Sequence, residues 1–214
     1  DTNPSHIKAV YDFLDSSKSF NGFTVGIDDD VTNLSIPIKN YHPETNSKEF
    51  LVYGYGSDGM VSAGKDILKI VGDNTEEYVQ GYFQYDSKKS GGVTRGHIRI
   101  NEKPIRSTYF IDNPSLVVCS KESYVSKYDM LSNIKKNGTF VLVTSLNEKE
   151  VNELLDSEIK NTLVKRSIKV YTIDAYKLAS KYGLKNKIST ILETCILSII
   201  GYPQYVEHIK ENIK

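Results

Sequence analysis

The 214-residue sequence has no tryptophan, only two cysteines and four histidines, and no long apolar run. Cys119 and Cys195 stand alone in apolar surroundings, which predicts buried free thiols rather than an iron–sulfur cluster or a structural zinc site. The histidines are scattered without metal-ligand spacing, so no metal site is predicted. The longest apolar stretch, residues 196–200, is far too short to cross a bilayer. We therefore expect a soluble, cytoplasmic protein that contacts no membrane.

The sequence also has no excess of positive or negative charge. The 27 basic residues balance the 27 acidic residues, so the formal net charge is zero. A neutral chain has no overall attraction to nucleic acid or to an anionic membrane surface, and any anion site must be local. The chain begins with Asp and no signal segment follows, so we expect a processed chain or a part of a longer protein.

Apolar periodicity predicts alternating strands and helices. A helix over 5–14 and a strand over 23–27 come first, and residues 39–48 show no periodicity and are interpreted as a linker. Strands are predicted at 50–55, 78–85, 93–100, 116–119, 139–144 and 168–173. Helices are predicted after the glycines at 54–59 and at 122–134, 147–163, 174–182 and 186–200.

This order favours an α/β fold with an open, mainly parallel twisted sheet flanked by helices, of Rossmann-like type. A crossover through a helix is expected after each strand. Ligands bind such sheets at the carboxyl ends of the strands, which places the glycine turn after strand 50–55 at the ligand edge.

The stretch GYGSDGMVSAGK, residues 54–65, matches two phosphate-binding patterns incompletely. A P-loop requires a hydroxyl after Lys65 to hold magnesium, and Asp66 stands there instead. A dinucleotide turn requires an acidic residue after the next strand, and although Asp86 is in place, the basic string SKKSGG follows it directly. The local chemistry favours phosphate bound at a helix N-terminus, with Lys88 and Lys89 near it.

Two features of that stretch leave alternatives open. Asp58 would oppose a phosphate unless its carboxylate turns away to cap the helix. The glycines are also compatible with a tight turn alone, and the lysines with a solvent-exposed face.

Other polar residues carry weaker hypotheses. Arg95, Arg99 and Arg106 lie in or near the strand beginning at Val93, where a basic face would suit a polyphosphate and where exposed arginines commonly face solvent. No serine has the histidine and aspartate partners of a hydrolase triad, so no catalytic residue is predicted.

Several longer strings are more specific than either short pattern. Together they resemble pyruvate:ferredoxin (flavodoxin) oxidoreductase and its fusion relative pyruvate:NADP+ oxidoreductase, over nearly the whole chain. The strings are FTVGIDDDVTNLSIP (23–37), GYGSDGMVSAGKDILKIVGDNT (54–75), QGYFQYDSKKSGGVTRGHIRI (80–100), KPIRSTYFI (103–111) and YVSKYDML (124–131).

The resemblance is to an internal part of that large enzyme. It implies that residues 1–40 are the tail of a transketolase C-terminal-like domain, that 41–48 form a linker, and that 49–214 are the domain equivalent to the gamma subunit of 2-oxoacid oxidoreductases. The whole enzyme converts pyruvate and coenzyme A to acetyl-CoA and carbon dioxide, and passes electrons to ferredoxin or NADP+. Thiamine diphosphate and the iron–sulfur clusters would be held by other domains of the same polypeptide, and the parent would be a homodimer.

The site residues implied by the resemblance bind coenzyme A. The loop of Gly56, Ser57, Asp58, Gly59 and Met60 would cradle its phosphates, and Lys88 would add a positive charge. Ser189 stands where the family has an asparagine, and a hydroxyl keeps only part of the hydrogen bonding of an amide. A different function, an interaction domain that covers the active site and supports dimerisation, is the alternative. A free-standing NAD-binding domain is disfavoured by SKKSGG.

Overall fold

The structure is a computed structural model that describes residues 2–86, 92–184 and 187–211. The chain divides into two compact units. The first comprises the described residues up to Asn46 together with Ser107–Phe110, and the second the described residues from Ser47 to Arg106 and from Ile111 onward.

The first unit contains one helix and a small pair of strands. Helix α1 (Pro4–Leu14) begins after Asn3, whose side chain accepts a hydrogen bond from the backbone N–H of His6. Pro4 suits the first helical position because its missing N–H would have no partner there. Strands β1 (Thr24–Val25) and β2 (Ser35–Ile36) pair in parallel. The origin of this unit in a transketolase-like domain stays a prediction.

Six strands of the second unit form one sheet in the order β4-β5-β3-β6-β7-β8. Strand β3 is parallel to β6, β6 to β7 and β7 to β8, so the prediction of a mainly parallel sheet is confirmed. The strands are β3 (Lys48–Tyr55), β4 (Tyr78–Tyr85), β5 (Val93–Asn101), β6 (Leu116–Cys119), β7 (Thr139–Val143) and β8 (Lys169–Ile173).

The prediction of a helical crossover after every strand is wrong for β4 and for β5, and only a short 3-10 turn lies between β6 and β7. Strand β5 lies between β3 and β4 and is antiparallel to both. The connection from Tyr85 to Val93 is too short for a crossover, which requires a dozen or more residues, and an antiparallel hairpin is the remaining solution.

Both faces of the sheet are covered, because neighbouring residues of the central strands point to opposite sides. Phe50 and Val52 belong to one apolar cluster with buried residues of helices α2 (Met60–Asn74), α5 (Ala175–Lys181) and α6 (Ser189–Ile199). Leu51 and Tyr53 belong to the second cluster, which contains buried residues between 111 and 134 and from helix α3 (Glu148–Leu154).

Two helix predictions are wrong in detail. Only Glu122–Tyr124 of the segment 122–134 forms a helix, a single 3-10 turn. Farther along, the side chain of Asp129 accepts the N–H of Ser132, a local turn that competes with a helix. The predicted helix 147–163 is two helices, α3 and α4 (Ser157–Lys165), because Leu155 is extended and Asp156 caps the second helix. A last helix, α7 (Val206–Glu211), follows a 3-10 turn at Pro203–Tyr205.

Candidate functional site

The glycine loop, residues 56–59, connects the end of β3 to the start of α2 at the carboxyl edge of the parallel strands. Ser57 and Gly59 have φ angles of 82° and 88°. Gly59 adopts this left-handed conformation freely, whereas Ser57 adopts it at a cost in backbone strain. A side-chain β-carbon at Gly56 would meet no atom within 4 Å, so the backbone of the loop is open to an approaching group there.

Asp58 organises the loop from inside. Its carboxylate accepts the N–H of Tyr55 at 2.6 Å and the N–H of Met60 at 2.8 Å, and Ser120 donates a short hydrogen bond to the same carboxylate. The carboxylate therefore engages a first-turn amide of α2 as a helix cap does. Because three donors surround this charge, it is directed into the loop and balanced there.

Ser189 lies against the glycine loop although 130 positions separate it from Gly59 in sequence. A β-carbon added to Gly59 would be 3.2 Å from both the backbone nitrogen and the Cβ of Ser189. Ser189 is the first residue of α6, so the N-termini of α2 and α6 meet at Gly59. Both ends present first-turn amides, which have no acceptor within their own helix.

Met60 and Lys88 are the remaining residues predicted for the site. Met60 is 1% exposed and its side chain belongs to the core beneath the loop. Its N–H donates a hydrogen bond to the carboxylate of Asp58, so Met60 anchors the loop to the core. Lys88, with its neighbour Lys89, lies outside the described residues.

Beside the glycine loop lies a cleft that the sequence does not predict directly. This edge cleft has a volume of about 500 Å³ and shares Tyr55 and Asp58 with the glycine loop. Its other lining residues lie at or after the ends of β6, β7 and β8: Ser120, Lys121, Glu122, Ser123, Val143, Thr144, Ser145, Asp174 and Tyr176. The sequence does contain a signal for this cleft: polar residues directly follow successive parallel strands, and such residues meet at one edge of the sheet.

The edge cleft is acidic apart from one lysine. Three carboxylates line it, from Asp58, Glu122 and Asp174. Glu122 accepts a short hydrogen bond from Thr144, and Asp174 accepts the N–H of Lys177 at the start of α5. No group of three or more potential ligands within residues 2–86, 92–184 and 187–211 is placed to hold a metal ion.

Lys121 is placed where the cleft adjoins the glycine loop. Its Nζ lies 4.4 Å from the ring centroid of Tyr55, the residue just before Gly56. This is cation–π geometry, in which the ring face attracts the ammonium group. The positive charge of the cleft is thereby held beside the loop.

The arginines of β5 have structural partners or aromatic neighbours. Arg99 is 3% exposed, and its Nε donates to Oε1 of Glu49 at 2.8 Å. The guanidinium of Arg95 lies 5.7 Å from the ring centroid of Tyr53 and 5.3 Å from that of Tyr128. Arg99 is therefore engaged in a buried ion pair, whereas Arg95 is half-buried and lines a surface cavity together with Tyr128.

His97 lies between the two arginines on the same face of β5. Its Nδ1 accepts the N–H of Ile111 at 3.0 Å. Burial, together with the positive charges of Arg99 and Arg95, lowers the pKa of His97 to about 4. The ring is therefore neutral near pH 7. The thiol of Cys119 is buried as predicted and its pKa is raised to about 12, while Cys195 is only partly buried.

A pair of carboxyl groups bridges the two helices behind the loop. Glu193 of α6 is 6% exposed and is hydrogen-bonded to Asp66 of α2. Burial and the neighbouring charge of Asp66 raise the pKa of Glu193 to about 7. Glu193 therefore carries a proton in the folded protein over a pH range in which the unfolded chain has lost it.

We expect Glu193→Gln to change how stability depends on pH. Between pH 4.5 and 7 the unfolded chain ionises at this position and the folded chain does not, so the free energy of unfolding falls as pH rises. Glutamine removes that fall. Relative to the parent, the free energy of unfolding of the variant should rise by about 1–2 kcal/mol from pH 5 to pH 7.5, less than the full shift because Asp66, the hydrogen-bonding partner, is exposed to solvent.

Urea denaturation of the parent and the variant at pH 5 and at pH 7.5 measures this difference in stability. His97 acts in the opposite direction, losing stability as pH falls from 6.5 to 4, and is the same in both proteins. The exposed Glu153→Gln serves as the matched control. Parallel pH profiles for the parent and Glu193→Gln would contradict the assignment.

Comparison with known proteins gives consistent matches. The sequence model of the family described as "Pyruvate ferredoxin/flavodoxin oxidoreductase" matches residues 49–214. The pyruvate:ferredoxin oxidoreductase of Moorella thermoacetica is 43% identical over 217 residues, covering 99% of this chain and 18% of its own length. The chain thus spans less than a fifth of that relative. No helix within the described ranges is long and apolar enough to cross a membrane.

Solved structures match the fold. The pyruvate oxidoreductase subunit PORC of Thermotoga maritima superimposes with a TM-score of 0.60 at 18% identity, covering 79% of this chain and 86% of the subunit. A 2-oxoglutarate:ferredoxin oxidoreductase from Magnetococcus marinus, solved with 2-oxoglutarate, coenzyme A and succinyl-CoA bound, matches with a TM-score of 0.50 at 14% identity, over 78% of this chain and 31% of that one. With a family match over most of its length and a close relative aligned along nearly all of it, the chain belongs to the pyruvate ferredoxin/flavodoxin oxidoreductase family.

Proposed function

We propose that this chain is the coenzyme A-binding part of an oxidoreductase that decarboxylates pyruvate to acetyl-CoA. The observation that carries the proposal is the meeting of two helix N-termini at Gly59, beside a loop whose own carboxylate is already balanced. Helix N-termini bind phosphate through free amides and the positive end of the helix dipole. Coenzyme A is the phosphate-bearing substrate of the family reaction.

The residues have distinct parts in this proposal. Gly56 gives the phosphates access to the backbone, Ser57 and Gly59 set the loop's left-handed turns, and Asp58 with Met60 fixes it from inside. Ser189 adds a hydroxyl from the start of α6, and Lys88 adds a charge. Thiamine diphosphate and iron–sulfur clusters belong to other domains of the homodimeric parent, which passes electrons to ferredoxin or NADP+.

Isothermal titration of this chain with coenzyme A tests the proposal. Lys88→Ala should weaken binding by about ten- to a hundredfold, because a charge-assisted hydrogen bond to phosphate contributes about 1.5–3 kcal/mol. Lys149→Ala, at an exposed position of α3, is the control. An unchanged dissociation constant for Lys88→Ala would show that Lys88 is not part of the site.

The second candidate is an interaction domain that binds no ligand by itself. It is favoured by the edge strand β4, where Tyr78, Tyr82 and Tyr85 are 49%, 54% and 62% exposed. Exposed tyrosines on a strand at the rim of a sheet are typical of a surface that another protein segment covers. No binding of coenzyme A by this chain at millimolar concentration would favour this function over the first.

A further inference from the structure

Strand β4 lies at the rim of the six-stranded sheet, and in the described part of the chain it pairs with β5 alone. Native proteins usually protect such a rim with charged side chains, with proline or with a short strand, because unpaired backbone groups attract other strands. Strand β4 (YVQGYFQY) is eight residues long and contains neither charge nor proline. The opposite rim strand, β8, has five residues and begins with Lys169. The β4 rim therefore has the composition of an edge that pairs with another strand.

The hydrogen bonding of the β4–β5 hairpin determines which backbone groups of β4 point away from the sheet. The N–H of Asp86 donates to the carbonyl of Val93 at 3.1 Å, and these two residues are directly opposite in the register. Because the direction alternates along an antiparallel strand, the N–H groups of Gln80, Tyr82 and Gln84 also point to β5. The residues whose backbone groups point to the free rim are Val79, Gly81, Phe83 and Tyr85.

This free rim is complementary to itself. Two copies of a strand that pair in antiparallel order are related by a two-fold axis perpendicular to the sheet, so opposite residues lie on the same face and their numbers sum to an even value. An axis at Tyr82 meets this condition, and an axis at Gly81 would instead set two glycines opposite each other with no side chains to pack. The axis at Tyr82 sets these residues opposite each other: Tyr82 with Tyr82, Gly81 with Phe83, Gln80 with Gln84, Val79 with Tyr85 and Tyr78 with Asp86.

These pairs are chemically matched. The outward N–H and C=O groups of one copy meet those of the other, because residues with outward groups are opposite each other. The side-chain amides of Gln80 and Gln84 can exchange hydrogen bonds, and the hydroxyl of Tyr78 can donate to the carboxylate of Asp86. The two Tyr82 rings meet on the axis as an aromatic cross-strand pair.

We propose that β4 pairs with the β4 of a second copy of this chain, in antiparallel order about a two-fold axis at Tyr82, so that the two sheets become continuous. Tyr78, Tyr82 and Tyr85 are 49%, 54% and 62% exposed. Since a tyrosine buries about 150–250 Å², the six half-exposed rings of the pair would remove about 600 Å² from water, and the paired backbone adds to this. Interfaces below about 1,200 Å² are weak, so the dimer should dissociate at about 10–100 µM. The inference does not depend on coenzyme A, because no residue of β4 belongs to the loop 56–59.

Charges placed on the axis test this pairing. Tyr82→Lys and Tyr82→Glu each set like charges about 5 Å apart in the dimer and remove the ring pair. In analytical ultracentrifugation between about 1 and 300 µM, the parent should change from monomer to dimer, and each variant alone should raise the dissociation constant at least about tenfold. An equimolar mixture of the two variants should recover a dimer, because opposite charges then face each other. Tyr171→Lys, at a 49% exposed position on the other rim, is the matched control and should dimerise like the parent.

Hydrogen exchange gives a second measurement at the level of single residues. The amides of Gln80, Tyr82 and Gln84, which point to β5, should exchange at the same rate in monomer and dimer. The amides that should exchange more slowly at the higher protein concentration are those of Val79, Gly81, Phe83 and Tyr85.

Three results would overturn the proposal. A parent chain that stays monomeric at about 300 µM would show that a second copy does not cover β4. Equal dimerisation of the parent and Tyr82→Lys would place the interface elsewhere. Circular dichroism establishes that the Lys and Glu variants of Tyr82 are folded, and a mixture of the folded variants that stays monomeric would contradict the axis at Tyr82.

Discussion

Replacing Glu49 with leucine is expected to lower the free energy of unfolding by about 3–5 kcal/mol. Glu49 and Arg99 are 8% and 3% exposed at their side chains, and the pair is joined at 2.8 Å. Lys135 lies 3.5 Å from the other carboxylate oxygen, and Gln80 accepts from Nη1 of Arg99. Without Glu49 the guanidinium stays buried and loses its counter-charge, which costs far more than a surface pair would.

Equilibrium unfolding in urea measures this loss, and two further variants define its cause. Asp12→Ala removes the exposed Lys8–Asp12 pair and should cost less than about 1 kcal/mol. The double variant Glu49→Leu with Arg99→Met should recover most of the loss, since no fully buried charge remains unpaired and Lys135, 32% exposed at its side chain, keeps its contact with water. A loss below about 1 kcal/mol for Glu49→Leu, or no recovery in the double variant, would show that the pair is not what the single substitution breaks.

The pairing of Glu49 with Arg99 is not predictable from the sequence. The sequence predicts Arg99 on a basic face because its position in a strand is visible from the alternation of residues. Its partner is not visible, because Glu49 faces it only through the antiparallel register in which these two residues are directly opposite. The register depends on β5 forming a hairpin with β4 and inserting beside β3, and local periodicity does not encode that order.

The parallel part of the sheet and the glycine loop were accessible from sequence for a physical reason. Buried parallel strands are short apolar runs, and the glycines after residue 55 permit the turn that leads into a helix. The resemblance implies that Ser189 belongs to the same site as the loop, but its contact with Gly59 arises from packing between α2 and α6 and is not visible in the sequence. The edge cleft was missed because its polar residues are single positions after separate strands.

Removing the carboxylate of Asp58 is expected to destabilise the protein and to weaken coenzyme A binding together. Asp58→Ala leaves the N–H groups of Tyr55 and Met60 and the hydroxyl of Ser120 without their acceptor. Charge-assisted bonds of this kind contribute about 1.5–3 kcal/mol, and water replaces part of them because the loop is half-exposed. We expect a loss of about 2–3 kcal/mol in the free energy of unfolding, measured by urea denaturation.

The effect on binding distinguishes two roles for the same charge. If Asp58 merely opposed the phosphates, neutralising it would tighten coenzyme A binding. If it fixes the loop, as its three donors indicate, binding should weaken about tenfold because the strained turn at Ser57 loses its support. Asp58→Asn is the matched variant, since it removes the charge and keeps one carbonyl acceptor, and it should lie between the parent and alanine. Tighter binding by either variant in calorimetric titration would contradict the role of Asp58 as the internal support of the loop.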